Sequence, residues 1–383
     1  MSKKKMVDRP ALVAAVAYEK SLGKLQQTIA SDLDISQPEV SRLLTEALAD
    51  GWLEKPSFRI VDNDVWQRAE ERFYSTTALR DELRARYRRE GRKLHRISLF
   101  HTREDGSVDP RTAAIFRVLL GEAATVGVTW GYRVSDVVEA LRQRGTDMPG
   151  SGRTGKVTFV PLCGEPLSVG DPASCSSSVL AQRLAEIFGG AEDTVESIAG
   201  VPAFIPLKVG KASEVETIRR LISLVRGHAR IFGSPGGSGR TGKPLVETLD
   251  AIITSVGRVG QNRGIFLSER IEIGDISEER MTRSVAGDIG GIIIPNAGIS
   301  AADAKSIQEM NNNWTGARQD HLRRCADAAQ RGAFSRKTPG VIVLALGADR
   351  VTVVLRCIEL GLVNELVIDR ELADALHAHL QPA

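Results

Sequence analysis

The stretch QQTIASDLDISQPEVSRLLTEALADGWLE, Gln26–Glu54, decides how the first part of the chain folds. Ile29, Ala30 and Leu33 recur at helical spacing, and Asp34-Ile35-Ser36 interrupts that helix. A second helix then begins, with Val40, Leu43, Leu44 and Leu48 on its apolar side. Ser36 is a good N-cap, and Glu39 three residues later completes an S-x-x-E capping box. Pro38 stands in the first turn, where a missing N–H costs nothing. Two short helices joined by a tight turn are a helix-turn-helix. Ala30 is small where the helices cross, Ile35 plugs the turn, and Asp34 occupies a position that needs a left-handed backbone, which aspartate tolerates better than most residues. Ser36, Gln37, Ser41, Arg42 and Thr45 are left on the outer side as candidate DNA contacts, with donors and acceptors suited to base edges and phosphates in a major groove. An ordinary helical hairpin is the plainer alternative.

Upstream, Leu12, Val13, Val16 and Ala17 predict the first helix of a three-helix unit. Downstream, GWLEKPSFRI (51–60) predicts two short strands around a Lys55-Pro56 turn, a wing. Residues 1–60 thus read as a winged helix-turn-helix domain, 61–95 as a charged helical linker, and 96–383 as a separate domain.

The 383 residues are 42% hydrophobic and 26% charged, which fits folded domains with buried cores and argues against disorder. No apolar run approaches the roughly 18 residues of a membrane helix, and no secretory signal follows the basic start MSKKKMVDRP. The four cysteines, Cys163, Cys175, Cys325 and Cys357, are scattered without metal-binding spacing, so no disulfide framework, metal or cofactor is expected and a cytoplasmic protein is. The net charge is only +3, yet Arg80, Arg84, Arg86, Arg88, Arg89, Arg92, Lys93 and Arg96 form a basic run. Such a run is either a solvated helix face or a flank that touches phosphates.

From about Arg96 short apolar runs alternate with helical patterns. RISLF, TVGVTW, KVTFVPL, ARIFG, EIGDI, GVIVLALG and NELVID read as strands; AAIFRVLLGEAA and SDVVEALRQ read as helices. This alternation predicts a Rossmann-like α/β domain with a mainly parallel sheet. Such sheets bind small ligands in loops at the carboxyl ends of their strands. The loops to inspect are therefore Trp130–Arg133, Cys163–Glu165, Gly233–Gly236, Gly287–Gly291 and Gly347–Arg350.

SQPEVSRLL, GVTWGYRV, VPLCGE, AGDIGG, VIVLALGADR and GLVNELVIDRELADAL occur in that order over nearly the whole chain. In these segments the chain resembles the SorC family of bacterial transcriptional regulators. The resemblance implies a winged DNA-binding domain joined to a sensor domain similar to sugar-phosphate isomerases and deaminases. It also implies a phosphorylated sugar or related metabolite as effector, and a dimer or tetramer. The family's Gly-x-Thr/Ser phosphate loop matches at Gly131, but Arg133 stands in place of the hydroxyl residue. The family's closing lysine is Arg350 here. An arginine either grips an anion bidentately or changes the ligand class. The Gly287–Gly291 loop matches well; a glycine turn with Asp288 suits a polyol or phosphate held by backbone amides. Carried over, the candidate effector residues are Gly131, Tyr132, Arg133, Gly164, Glu165, Gly287, Asp288, Ile289, Gly290 and Arg350. Trp130 reads as structural rather than ligand-stacking.

GSGRTGK occurs twice, at Gly150–Lys156 and Gly237–Lys243, and each copy fits the start of a P-loop. A working P-loop needs a strand before it, a helix after it, and Ser or Thr after the lysine. The first copy leads into a strand and the second is followed by Pro244, so nucleotide hydrolysis is not expected. The second, read as following the ARIFG strand, is a candidate anion contact through Arg240 and Lys243.

The expected function is an effector-responsive regulator that binds double-stranded operator DNA as a homo-oligomer. Two alternatives stand beside it. One is a sugar-phosphate isomerase-like or deaminase-like enzyme with Asp288 or Glu165 as general base. The other is a regulator whose effector pocket is retuned or silent.

Overall fold

Ser36 has an extended backbone, and its hydroxyl accepts the Glu39 amide at 3.3 Å, so the chain turns into a helix there. Asp34, two residues earlier, has φ of +51°, the left-handed conformation that the turn requires. Helices α1 (Arg9–Ser21), α2 (Gln26–Asp32) and α3 (Gln37–Ala49) follow the sequence pattern. Leu12, Val13, Val16 and Ala17 join Ile29, Ala30, Val40, Leu43, Leu44 and Trp52 in one buried cluster, against which Leu33 and Ile35 pack. Leu48 departs from expectation. It is 47% exposed, and Ala47 is buried in its place, because positions 40, 43, 44 and 47 complete the inward stripe. The Glu39 carboxylate is paired with Arg42 and, at 3.6 Å, with Arg9, rather than with the Ser36 amide.

The computed structural model describes residues 8–53, 76–103, 107–121, 123–143, 157–167, 175–188, 197–233, 243–261, 263–332 and 338–381. The expected wing at 54–60, the first GSGRTGK copy and residues 237–242 of the second lie outside them. The chain divides into two compact units, residues 1–79 with 102–106, and residues 80–101 with 107–383.

The second unit begins within α4 (Thr76–Arg86) and continues through α5 (Arg88–Gly91) into β1 (Arg96–Leu99). There follow α6 (Pro110–Gly121), β2 (Thr125–Val128), α7 (Tyr132–Gln143), β3 (Thr158–Pro161), α8 (Ser177–Ile187), α9 (Ala212–Ser223) and α10 (Arg226–Phe232). Then come β4 (Ala251–Gly257), α11 (Ile265–Glu272), α12 (Glu278–Ser284), β5 (Val285–Ile289), β6 (Ile292–Pro295), α13 (Ala301–Asn312) and α14 (Gln319–Gly332). The chain closes with β7 (Gly340–Ala345), α15 (Val351–Glu359), β8 (Glu365–Ile368) and α16 (Arg370–Leu380).

The strands order as β1-β8-β7-β4-β2-β3, all parallel, and the β5–β6 hairpin pairs antiparallel with the end of β4. Val126, Val128, Phe159, Ile253, Ile342 and Leu344 bury one sheet face with residues of α6, α7 and α8, among them Phe116, Val138 and Leu184. A smaller core, with Leu267, Met281, Ile293, Ile307 and Met310, unites α11, α12 and α13 with the hairpin.

Two expected strands are not strands. ARIFG forms the end of α10, and EIGDI is the last residue of α11 and the turn after it. Short apolar runs carry no periodicity that separates strand from helix. The central strand β4 is instead AIITSVG, whose β-branched Ile252, Ile253, Thr254 and Val256 suit a strand covered on both faces. The second GSGRTGK copy therefore comes after a helix that ends at Phe232, not after a strand.

Candidate functional site

The outer side of α3 presents Gln37, Ser41, Arg42 and Thr45, all exposed, beside the exposed Ser36 cap. The Thr45 hydroxyl donates back to the Ser41 carbonyl at 3.1 Å, which leaves its lone pairs outward. Arg42 is held by Glu39. Gln37 stands in the first turn of α3.

In the α/β unit the strand order defines where a ligand belongs. The chain leaves β2 toward the β3 edge, whereas it leaves β4 toward the β7 side. The crevice outside the carboxyl ends of β2 and β4 is thus the topological switch point. Three segments converge there. The loop after β2 brings Gly131 against the Ser255 hydroxyl of β4. The Gly290 amide of the hairpin tip donates to the Ser255 carbonyl at 3.0 Å. Thr129 and Thr254 are hydrogen-bonded at 3.0 Å beneath that tip. Helix α7 begins directly after Gly131, so its first amides and its dipole face the crevice end of β2.

Three arginines surround this point. Arg350, on the loop after β7, donates to the Leu346 carbonyl and to Asp349, the latter at 2.7 Å. Arg258, after β4, pairs with the same Asp349. Arg133, in the first turn of α7, pairs with Asp136 at 3.0 Å. Burial first, then the charges of Arg258 and Arg133, hold the Arg350 guanidinium below its ordinary pKa. The arginines at 133 and 350 are therefore close enough to sense each other, and two guanidinium groups share one carboxylate.

Asp288 sits beside them at the end of β5, 5% exposed. Its Oδ1 accepts the Gly291 amide at 2.9 Å, and its Oδ2 fills the space at Gly257, where a Cβ would lie 2.0 Å away. Burial pushes its pKa up to about 6, against the Gly291 amide and the Arg350 charge, which both lower it. Gly287 and Ile289 flank it as strand residues. Gly164 and Glu165 follow β3, and Cys163 beside them senses the charges of both Glu165 and Asp288. There Glu165 accepts the Ser176 hydroxyl at 2.6 Å, and burial raises its pKa. Tyr132 is exposed and stacks edge-on to Trp130 at 5.0 Å. Trp130 itself is buried, and its amide donates to Cys163 Sγ at 2.9 Å.

Arg258, Gly257 and Asp349 complete this group. Asp349 belonged to a loop named from sequence, but Arg258 did not; the β-branched run of β4 is the signal that points to the loop after it. The basic run is partly internal. Lys93 is buried between Glu90 and Asp327 at 2.6 and 2.7 Å, Arg84 donates to the Leu94 carbonyl at 2.8 Å, and Arg96 meets Glu365 at 3.0 Å. Arg86, Arg88, Arg89 and Arg92 are exposed. Among the described residues no cluster of His, Cys, Asp and Glu is arranged to hold a metal, and no helix is long and apolar enough to cross a membrane. All four cysteines are buried free thiols.

Solved structures share this architecture. The chain aligns over 98% of its length with the whole of the full-length sorbitol operon regulator SorC from Klebsiella pneumoniae, at 18% identity and a TM-score of 0.54. A DeoR family transcriptional regulator from Listeria monocytogenes aligns over 79% of this chain and 99% of its own, at 17% identity and 0.51. The probable sor operon regulator from Shigella flexneri aligns over 80% and 100%, at 17% identity and 0.51. At these identities the likeness is one of fold. No family model matches the chain, and no curated protein does.

Proposed function

We propose that the chain is a DNA-binding transcriptional regulator whose α/β unit senses a small anionic metabolite. In this reading the particular protein is a SorC-type sensor of a phosphorylated sugar. The observation that carries it is the helix-turn-helix itself: a left-handed Asp34 between α2 and α3, a capped α3, and a polar outer side. Gln37, Ser41 and Arg42 contact operator DNA, with Ser36 and Thr45 beside them. The domains are 1–60 for DNA, 61–95 as linker and 96–383 for effector and assembly. The protein works in the cytoplasm as a homo-oligomer, because a two-fold operator pairs with a two-fold protein. The effector's anion lies at the amino end of α7, between Arg133, Arg258 and Arg350, and its hydroxyls meet Asp288. No cofactor takes part.

The test is a fluorescence-anisotropy titration of the full chain on a labelled duplex from directly upstream of its own coding region. Arg42→Ala is expected to weaken binding by about tenfold with an unchanged melting temperature. Equal affinity for the two proteins overturns the assignment of α3. Hexose and pentose phosphates that raise the melting point should also shift the DNA affinity, since a ligand acts only through its differential affinity for two states.

The raised pKa of Asp288 favours one second reading, general-base catalysis on a sugar phosphate. Turnover that falls in Asp288→Asn would establish it. The regulator reading expects binding without turnover.

A further inference from the structure

We propose that the α/β unit carries a second ligand site, a cavity between α9, α10 and the start of α14, and that it takes a small organic anion: one carboxylate or phosphate group on a flat apolar body. The cavity has a volume of about 320 Å³ and shares no residue with the arginine group at the strand ends. Its polar lining includes Arg219, His228, Arg318 and His321, with Phe232 and Trp314 on the apolar side.

Its lining is basic. Among the described residues no Asp or Glu lines it, and Asp320, outside the lining, offsets part of the charge. Arg219 is oriented by neutral acceptors, the Asn312 carbonyl at 2.7 Å and Asn313 Oδ1 at 3.3 Å. Arg318 makes no ion pair among the described residues; burial and then the Arg219 charge lower its pKa, against the nearby Asp320 charge, which raises it. Two guanidinium groups that repel each other without an acid between them are a receptor for an anion.

The histidines add donors. His228 Nε2 lies 3.0 Å from the Thr315 carbonyl, which only accepts, so Nε2 carries the hydrogen. Its buried Nδ1 has no hydrogen-bond partner among the described residues. A buried ring nitrogen without a partner is costly, and an anion in the cavity relieves the cost by stabilising a proton there. His321 Nδ1 accepts the Arg318 amide at 3.0 Å, which leaves Nε2 as its donor. The His228 ring is fixed against Phe232 at 4.8 Å between centroids.

The flat body is set by Phe232 and Trp314. The Trp314 ring also joins the cavity to the strand-end site. It lies against Gly291, and it packs edge-on to Phe266 at 4.9 Å, which packs edge-on to Trp130 at 5.4 Å.

The test titrates the full chain by calorimetry with phenyl phosphate, benzoate and inorganic phosphate. Phenyl phosphate or benzoate is expected to bind more tightly than inorganic phosphate. Arg318→Gln should weaken that binding by about tenfold, and by more than Arg350→Gln, which acts at the strand ends. Imidazole nitrogen spectra should show His228 Nδ1 gaining a proton on binding. The proposal is overturned if none of the three probes binds, if inorganic phosphate binds as well as the aromatic anions, or if Arg350→Gln and not Arg318→Gln removes binding. An unchanged His228 spectrum on saturation overturns the role given to its Nδ1.

Discussion

The α/β unit gathers arginines in two places and treats them differently. At the strand ends, Arg258 and Arg350 share Asp349, Arg133 has Asp136, and Asp288 stands close by. In the cavity, Arg219 is bonded to neutral acceptors, and Arg318 makes no ion pair among the described residues, with Asp320 nearby. The first site is internally neutralised, so an anion entering it must displace a carboxylate and gains specificity from that exchange. The second holds its guanidinium groups without an ion pair and binds by relief of repulsion. The difference shows that a guanidinium's function is set by what already pairs it, a property that a net charge of +3 conceals.

Gly291→Ala tests whether the two places are mechanically joined, and carries the largest effect. Gly291 has φ of +89°, and a Cβ there would lie 2.0 Å from the Trp314 ring. The ring must move, so the α/β unit should lose about 3 kcal/mol in denaturant unfolding, and phenyl phosphate binding should change with it. Unaltered stability would show that the hairpin does not hold Trp314.

Asp288→Asn probes the paired site. The folded pKa of Asp288 is raised to about 6, so its contribution to stability is full below the unfolded value near 3.8 and is lost as pH rises through 6. At neutral pH the buried charge costs on the order of 2–3 kcal/mol, which the asparagine avoids while still accepting the Gly291 amide. The variant should melt higher than the parent at pH 7, and its melting point should vary less between pH 4 and 7. A parent with no fall in stability over that range would contradict the burial argument.

Asp349→Asn has the smallest effect and sharpens the comparison most. It removes the carboxylate that Arg258 and Arg350 share, making the strand-end site resemble the cavity. Affinity for a hexose phosphate should rise by about threefold to tenfold in calorimetry, at the expense of discrimination against inorganic phosphate. Weaker binding would mean that Asp349 positions the arginines rather than competing for them.

How much was legible followed from how local each feature is. The helix-turn-helix lies within some thirty residues, and its cap, its turn residue and its apolar spacing all act between near neighbours. The sequence therefore showed Asp34, Ser36, Ile29, Val40 and Leu43 in their places. Leu48 was misplaced because a helical stripe has edges, and the choice between Ala47 and Leu48 is made by what packs opposite. In the α/β unit the alternation of strand and helix was readable, as were the loops that carry Gly131, Asp288 and Arg350. ARIFG and EIGDI form no strand, against expectation, because a five-residue apolar run obeys either period, whereas the β-branched residues of AIITSVG favour the strand it forms.

The sequence by itself determined the three-helix unit, the α/β class and the loops of Arg133 and Arg350 but not that of Arg258, because propensity, capping and periodicity are short-range. Only the tertiary structure decided that Arg258 and Arg350 share one acid, that Asp288 is buried against Gly257, and that Arg219, His228, Arg318 and His321 line one cavity. Those residues come from distant segments, and their charges and protonation follow from burial and from partners that the fold alone brings within hydrogen-bond distance.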